Sequence, residues 1–132
     1  MDPKSKPKIV LLVDDDEFLV NMYTTKFQNA GFEVAVAGNA SAGLQKLRDG
    51  LAPDALLVDI VMPSMDGVEF VKRVRMEKLA EKAAVIFLTN QGQPSEILRA
   101  TTVGMDGYIV KASTIPSEVV ATVGRILAKK QK

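Results

Sequence analysis

The sequence predicts an α/β fold: a doubly wound, five-stranded parallel sheet of order 2-1-3-4-5 with helices on both faces. Three observations predict it. Five short apolar or β-branched runs alternate strictly with five stretches of helical spacing, which favours parallel strands joined by helices. Three of those runs are almost continuously hydrophobic, as strands covered on both faces should be. The chain has 132 residues, about the size of a single hydrophobic core.

The elements follow in order. The first strand is expected in KIVLLV, 8 to 13, and Phe18, Leu19, Met22 and Phe27 suit one face of a helix closed by Gly31. FEVAVA, 32 to 37, is the second strand, followed by a helix marked by Leu44 and Leu47 that ends near Gly50. DALLVD, 54 to 59, is the third, and Val68, Val71 and Val74, widened by Phe70, form its helix. AVIFLT, 84 to 89, precedes a fourth helix carrying Ile97, Leu98 and Thr101 before Gly104. DGYIVK, 106 to 111, is the fifth strand; Val119, Val120, Val123, Ile126 and Leu127 line a last helix opening near Pro116. The domain is expected over 8–128, between a flexible tail at 1–7 and a basic tail at 129–132.

Composition narrows the chemistry. No cysteine or histidine is present, so any acid, base or nucleophile is a carboxylate, hydroxyl, amine or phenol. The net charge of +1, with lysines gathered at the two ends, argues against a nucleic-acid surface. Apolar runs are far shorter than the roughly 20 residues of a membrane span, and MDPKSKPK lacks the apolar stretch of a secretory signal. A cytoplasmic location without membrane insertion is the default expectation.

In a doubly wound sheet the crevice lies at the carboxyl ends of strands 1 and 3. That rim would gather Asp14, Asp15 and Asp16 from strand 1, Asp59 from strand 3, Thr89 from strand 4 and Lys111 from strand 5. Clustered carboxylates resist ionisation unless a cation neutralises them. Hard oxygen donors select Mg²⁺ or Ca²⁺ over soft metals, and few protein ligands favour Mg²⁺, which shares its remaining positions with water and phosphate oxygens. Asp59 could then act as a nucleophile toward phosphorus. Each residue also has a plainer reading. Asp16 suits a helix cap, as could Asp14 and Asp15; Asp59 alone reads as a loop acid, Thr89 as a β-favouring residue and Lys111 as a solvated charge. Their joint placement, with LLVD at 11–14 repeated at 56–59, favours a site.

These segments, LLVDDDE, LLVDIVMPSMDGVEF, IFLTN and YIVK, closely resemble the receiver domains of bacterial two-component response regulators. The likeness runs over residues 8 to 128, and D-x-x-M-P-x-M-D-G from Asp59 to Gly67 is its most specific part. The resemblance implies a flavodoxin-like, CheY-like fold with Asp59 as phospho-acceptor. It also implies Mg²⁺ held by Asp15, Asp59 and the Val61 backbone carbonyl, with Asp14 acting through metal-bound water. Thr89 would close on the phosphoryl group, Lys111 would pair with it, and Tyr108 would turn inward as the threonine moves, unless it is simply a half-exposed strand tyrosine. Pro63 would stiffen the loop after the acceptor, and Gly67 would ease a tight turn into helix 3.

Three departures stand out. Lys111 is followed by Ala112 rather than proline, so that peptide is either a costly non-proline cis bond or trans with a differently aimed lysine. Asn90 replaces a small residue after the threonine. Val61 and Gln91 hold the positions that govern attack by water, and apolar Val61 implies a long-lived acyl phosphate.

The expected function is a signalling switch that catalyses at most its own phosphorylation and dephosphorylation. A sensor histidine kinase or histidine phosphotransfer protein would be the donor. Output would pass by protein contact through the face of helix 4, strand 5 and helix 5, in a monomer or a phosphorylation-dependent dimer, whether the chain acts alone or within a longer regulator. Three alternatives remain. A Mg²⁺-dependent phosphohydrolase of the haloacid-dehalogenase type would use Asp14-x-Asp16 but leave Asp59 idle. A flavin-phosphate binder would meet repulsion from three aspartates. A receiver-like module without phosphorylation would explain Ala112.

Overall fold

The computed structural model describes residues 6–90 and 92–130. Residues 1–5 and 131–132 of the expected tails, and Gln91, lie outside the described residues.

The strands are β1 (Ile9–Val13), β2 (Glu33–Ala37), β3 (Ala55–Asp59), β4 (Ala84–Thr89) and β5 (Gly107–Val110). The helices are α1 (Glu17–Asn29), α2 (Ala40–Arg48), α3 (Gly67–Met76), α4 (Pro94–Thr101) and α5 (Pro116–Lys130). The sheet is wholly parallel with strand order β2-β1-β3-β4-β5, as expected.

Successive residues on a strand face opposite ways, and the two faces build two cores. Leu11, Val13, Leu56, Val58, Val85 and Phe87 pack with Leu44 and Leu47 of α2 and Val68, Val71 and Val74 of α3. Val10, Leu12, Leu57, Ile86, Leu88 and Ile109 pack with Val20, Tyr23 and Phe27 of α1 and Val119, Val123 and Leu127 of α5. Every residue of β3 and β4 is buried, which accounts for their unbroken apolar runs. The lateral strands β2 and β5 are only partly covered.

Two helix faces differ from the expectation. Phe18 is 76% exposed and Leu98 69% exposed, although the spacing of both suits an apolar stripe. Each lies two residues, about 200° of helix, from the neighbour that enters the core, Val20 in α1 and Ala100 in α4. Tyr23, which the apolar count passed over, fills the α1 position instead at 2% exposure.

Helix ends follow local chemistry. Asp16 accepts from the Leu19 N–H at 3.1 Å and caps α1, and Asn39 accepts from Ala42 N–H at 2.8 Å to cap α2. Asp66 opens α3 with a reciprocal pairing: it accepts from Glu69 N–H at 2.9 Å, and the Glu69 carboxylate accepts from the Asp66 N–H at 3.4 Å. Gly31 and Gly50 follow α1 and α2 at φ 93° and 109°, a backbone region glycine enters without steric cost. The three N-terminal caps start α1, α2 and α3 beyond the carboxyl ends of β1, β2 and β3, on the edge of the sheet where the rim residues collect, whereas Gly31 and Gly50 turn the chain at the opposite edge.

Candidate functional site

Asp14 directly follows β1, and its N–H continues the ladder by donating to Ala37 O at 3.1 Å. Its side chain turns down into the rim rather than capping α1. Oδ1 accepts from the Asp16 N–H at 3.0 Å, and the residue is 1% exposed. Asp59 ends β3 at 4% exposure, with the chain beyond it pinned by Ile60 N–H to Leu88 O at 2.9 Å. Asp15 lies on the exposed rim.

Lys111 falls just past β5, at the start of a single 3₁₀ turn over Lys111–Ser113, rather than inside the strand. The described residues contain no cis peptide, so Lys111–Ala112 is trans. The lysine is nonetheless aimed at the site: Nζ lies 2.9 Å from Asp14 Oδ2 and 3.4 Å from Asp59 Oδ2, with only 7% of its side chain exposed. The ordinary trans bond therefore reaches the carboxylates without backbone strain.

Gly67 explains how the acceptor loop closes. Its N–H donates to Ile60 O at 2.8 Å, and a Cβ there would stand 2.2 Å from the carbonyl oxygen of Asp59. Close approach of two backbones, not an unusual dihedral angle, is what demands glycine here. Pro63 and the exposed side chain of Val61, 55% accessible, line the loop between them.

The electrostatics are uneven. Burial, reinforced by the Asp14 charge and only partly offset by Lys111, pushes the Asp59 carboxyl from an ordinary 3.8 up to about 7. Burial works against the Lys111 ammonium too, but the Asp14 carboxylate 2.9 Å away and the charge of Asp59 hold its pKa above the ordinary value. Three carboxylates facing one ammonium leave two uncompensated negative charges when all are ionised.

The fit to a cation can be judged from the donors. One oxygen each from Asp14, Asp15 and Asp59 lie within 4.8 Å of one another. Asp14 Oδ2 is buried and, although close to the lysine ammonium, is not aligned for a directed hydrogen bond. A crowded set of hard oxygens with an excess charge of −2 suits a divalent, oxygen-seeking ion.

Thr89 ends β4 fully buried. Its hydroxyl donates to Glu96 Oε1 of α4 at 3.0 Å and accepts from the Gly92 N–H at 3.2 Å. In sequence Glu96 reads only as an acid favouring a helix N-terminus, with nothing to pair it with Thr89. Arg99, three residues further along α4, reaches Asp66 Oδ2 at 2.9 Å. That pairing and the Glu69 N–H outweigh burial and hold the Asp66 pKa below its ordinary value. Tyr108 on β5 is 45% exposed, and Asn90 is exposed beside the threonine.

Comparison with known proteins bears on the family and the fold. Residues 10–123 match the profile of the family described as response regulator receiver domain. The phosphate regulon transcriptional regulatory protein PhoB of Rhizobium meliloti (strain 1021) is 32% identical over 123 residues, which cover 93% of this chain and 53% of that protein. The chain spans about half the length of the curated relatives it matches. Among solved structures, Vibrio cholerae chemotaxis protein CheY4 superposes with a TM-score of 0.84 at 32% identity, covering 91% of this chain and 98% of that one. The receiver domain of Francisella response regulator 1452 gives 0.80 at 26% identity, covering 95% and 99%.

Proposed function

The chain belongs to the response regulator receiver domain family, and from that premise we propose that Asp59 is its phospho-acceptor. The observation that carries the reading is the Asp14–Lys111–Asp59 cluster. A buried carboxylate at the end of a central strand faces an ammonium at 3.4 Å and a second carboxylate held by the same ammonium.

The donor is the phosphohistidine of a sensor histidine kinase or histidine phosphotransfer protein, since this chain contains no histidine. A carboxylate oxygen of Asp59 forms the new O–P bond as the P–N bond of the donor breaks, and the electron pair of that bond stays with the imidazole. Mg²⁺ is the cation that fits the site: the carboxylates of Asp15 and Asp59 and the backbone carbonyl of Val61 would hold it, with Asp14 acting through metal-bound water. When bound it offsets the charge of the carboxylates and of the incoming phosphoryl oxygens. Lys111 stays positioned by Asp14 and meets the phosphoryl oxygens with its ammonium protons. Thr89 supplies a hydroxyl donor to the same group. The apolar side chain of Val61 cannot orient an attacking water, which favours a long-lived acyl phosphate.

Output passes by protein contact through α4, β5 and α5, with Tyr108 turning inward when the Thr89 hydroxyl moves. The chain catalyses no reaction beyond forming and losing its own phosphoryl group. The test is intact-mass measurement after incubation with acetyl phosphate, with and without Mg²⁺, on wild type and Asp59→Asn. A Mg²⁺-dependent phosphoryl adduct on the wild type alone is expected. No adduct on the wild type would leave an interaction module that does not phosphorylate.

A further inference from the structure

Among the described residues the Thr89 hydroxyl has one hydrogen-bond acceptor, and it is not the phosphoryl site: its proton goes to Glu96 Oε1 at 3.0 Å. A hydroxyl carries a single proton and donates to one acceptor at a time. Here the acceptor is a carboxylate, which makes the bond charge-assisted and stronger than one between neutral groups. The lone pairs are engaged as well, by the Gly92 N–H at 3.2 Å. Thr89 is fully buried and Glu96 half-buried, so water competes weakly for either group.

We propose that Glu96 is a positioning residue for the switch: it holds the Thr89 proton away from the acceptor and competes with the phosphoryl oxygens for it. The inference rests on the reading of Asp59 as phospho-acceptor. Every phosphorylation event then carries the cost of breaking the Thr89–Glu96 bond, and the resting state is favoured by the same amount. The break also has a structural consequence. Helix α4 is tied to the site at two points on one face, Glu96 to Thr89 and Arg99 to Asp66 at 2.9 Å. Asp66 caps α3 and stays in place through the Glu69 N–H. Releasing Glu96 frees the N-terminal turn of α4 while Arg99 still anchors its last turn, so the helix start and the Gly92 turn before it are the parts that become free to move.

The test is calorimetric titration of beryllofluoride, a phosphoryl mimic, in Mg²⁺. It uses the full chain as wild type, Glu96→Ala, Glu96→Gln, Thr89→Ala and the Thr89→Ala/Glu96→Ala double variant. Glu96→Ala is expected to bind roughly 10-fold tighter than wild type, the scale of one hydrogen bond to a charged group. Glu96→Gln, whose amide carbonyl still accepts, is expected to lie between them. In the Thr89→Ala background the Glu96 change should have no effect, because no hydroxyl is left to compete for. Tightening that persists without Thr89 would mark simple removal of a negative charge and would overturn the inference. Unchanged affinity in Glu96→Ala, with the wild type binding, would overturn it while leaving the phospho-acceptor reading intact. A wild type that does not bind beryllofluoride would overturn both.

Discussion

Replacing Asp59 with asparagine should make the metal-free protein more stable at neutral pH, although it removes the group the site exists to present. Asp59 is buried at 4% exposure beside Asp14, and its pKa rises from an ordinary 3.8 to about 7. Because the folded-state value lies above the unfolded one, the fold binds the proton more tightly than the unfolded chain does. Stability is therefore intact below about pH 4, falls as pH rises through the window up to about 7, and carries the full penalty above it. At about 1.4 kcal/mol per pH unit, the rise corresponds to about 4 kcal/mol when both states are ionised. Relaxation of the neighbouring carboxylates and entry of water lower this, and about 2 kcal/mol is the working figure. For a domain of this size that is a rise in Tm of roughly 6–10 °C. Thermal melts followed by circular dichroism in EDTA, at pH 8 and at pH 4.5, supply the comparison. The asparagine variant should melt higher at pH 8 and the gap should shrink at pH 4.5. Adding Mg²⁺ at pH 8 should raise the wild type more than the variant, since only the wild type keeps all three carboxylates. A gap independent of pH, or a wild type that is the more stable protein at pH 8 in EDTA, would refute the electrostatic account of the site.

Lys111→Met should have the opposite sign, because Asp14 and Asp59 would face each other with no cation between them. A loss of about 3–5 kcal/mol in EDTA at pH 8, partly restored by Mg²⁺, is expected from urea unfolding. Gly67→Ala should cost about 1–3 kcal/mol in the same assay, since its Cβ would meet the Asp59 carbonyl at 2.2 Å and the acceptor loop must shift. It should also slow phosphorylation by acetyl phosphate, read by intact mass. Asp16→Ala removes the cap on Leu19 N–H and should cost about 1 kcal/mol while leaving the extent of phosphorylation unchanged, which separates the capping aspartate from the two beside it.

The parts of this fold legible in the sequence are those set by burial and by topology. β3 and β4 are buried at every residue, so their apolar runs carry the signal directly. Once five parallel strands are in order, Asp14, Asp59, Thr89 and Lys111 must share one rim, whatever the side chains do locally. What escaped is decided by contacts between elements. Phe18 and Leu98 are apolar enough to count toward a helix stripe, yet only the packing of α1 and α4 on the sheet says which face turns inward. The partner of Thr89 depends on Gly92, whose φ of 65° turns the following chain so that Glu96 in the first turn of α4 meets the hydroxyl. No spacing rule links a threonine to a glutamate seven residues later across such a turn. The path after Lys111 was equally open, because Ala112 permits a trans bond where proline would have biased the choice.

The central claim, that Asp59 carries the phosphoryl group, is tested most directly by locating the modified residue. After phosphorylation by acetyl phosphate in Mg²⁺, borohydride reduces an aspartyl phosphate to homoserine, which peptide mass spectrometry reads at single-residue resolution. The account predicts homoserine at position 59 and none at 14, 15 or 16. Homoserine at position 14 would move the nucleophile to the Asp14-x-Asp16 segment and contradict the assignment, as would a wild-type chain that shows no reduced residue at all.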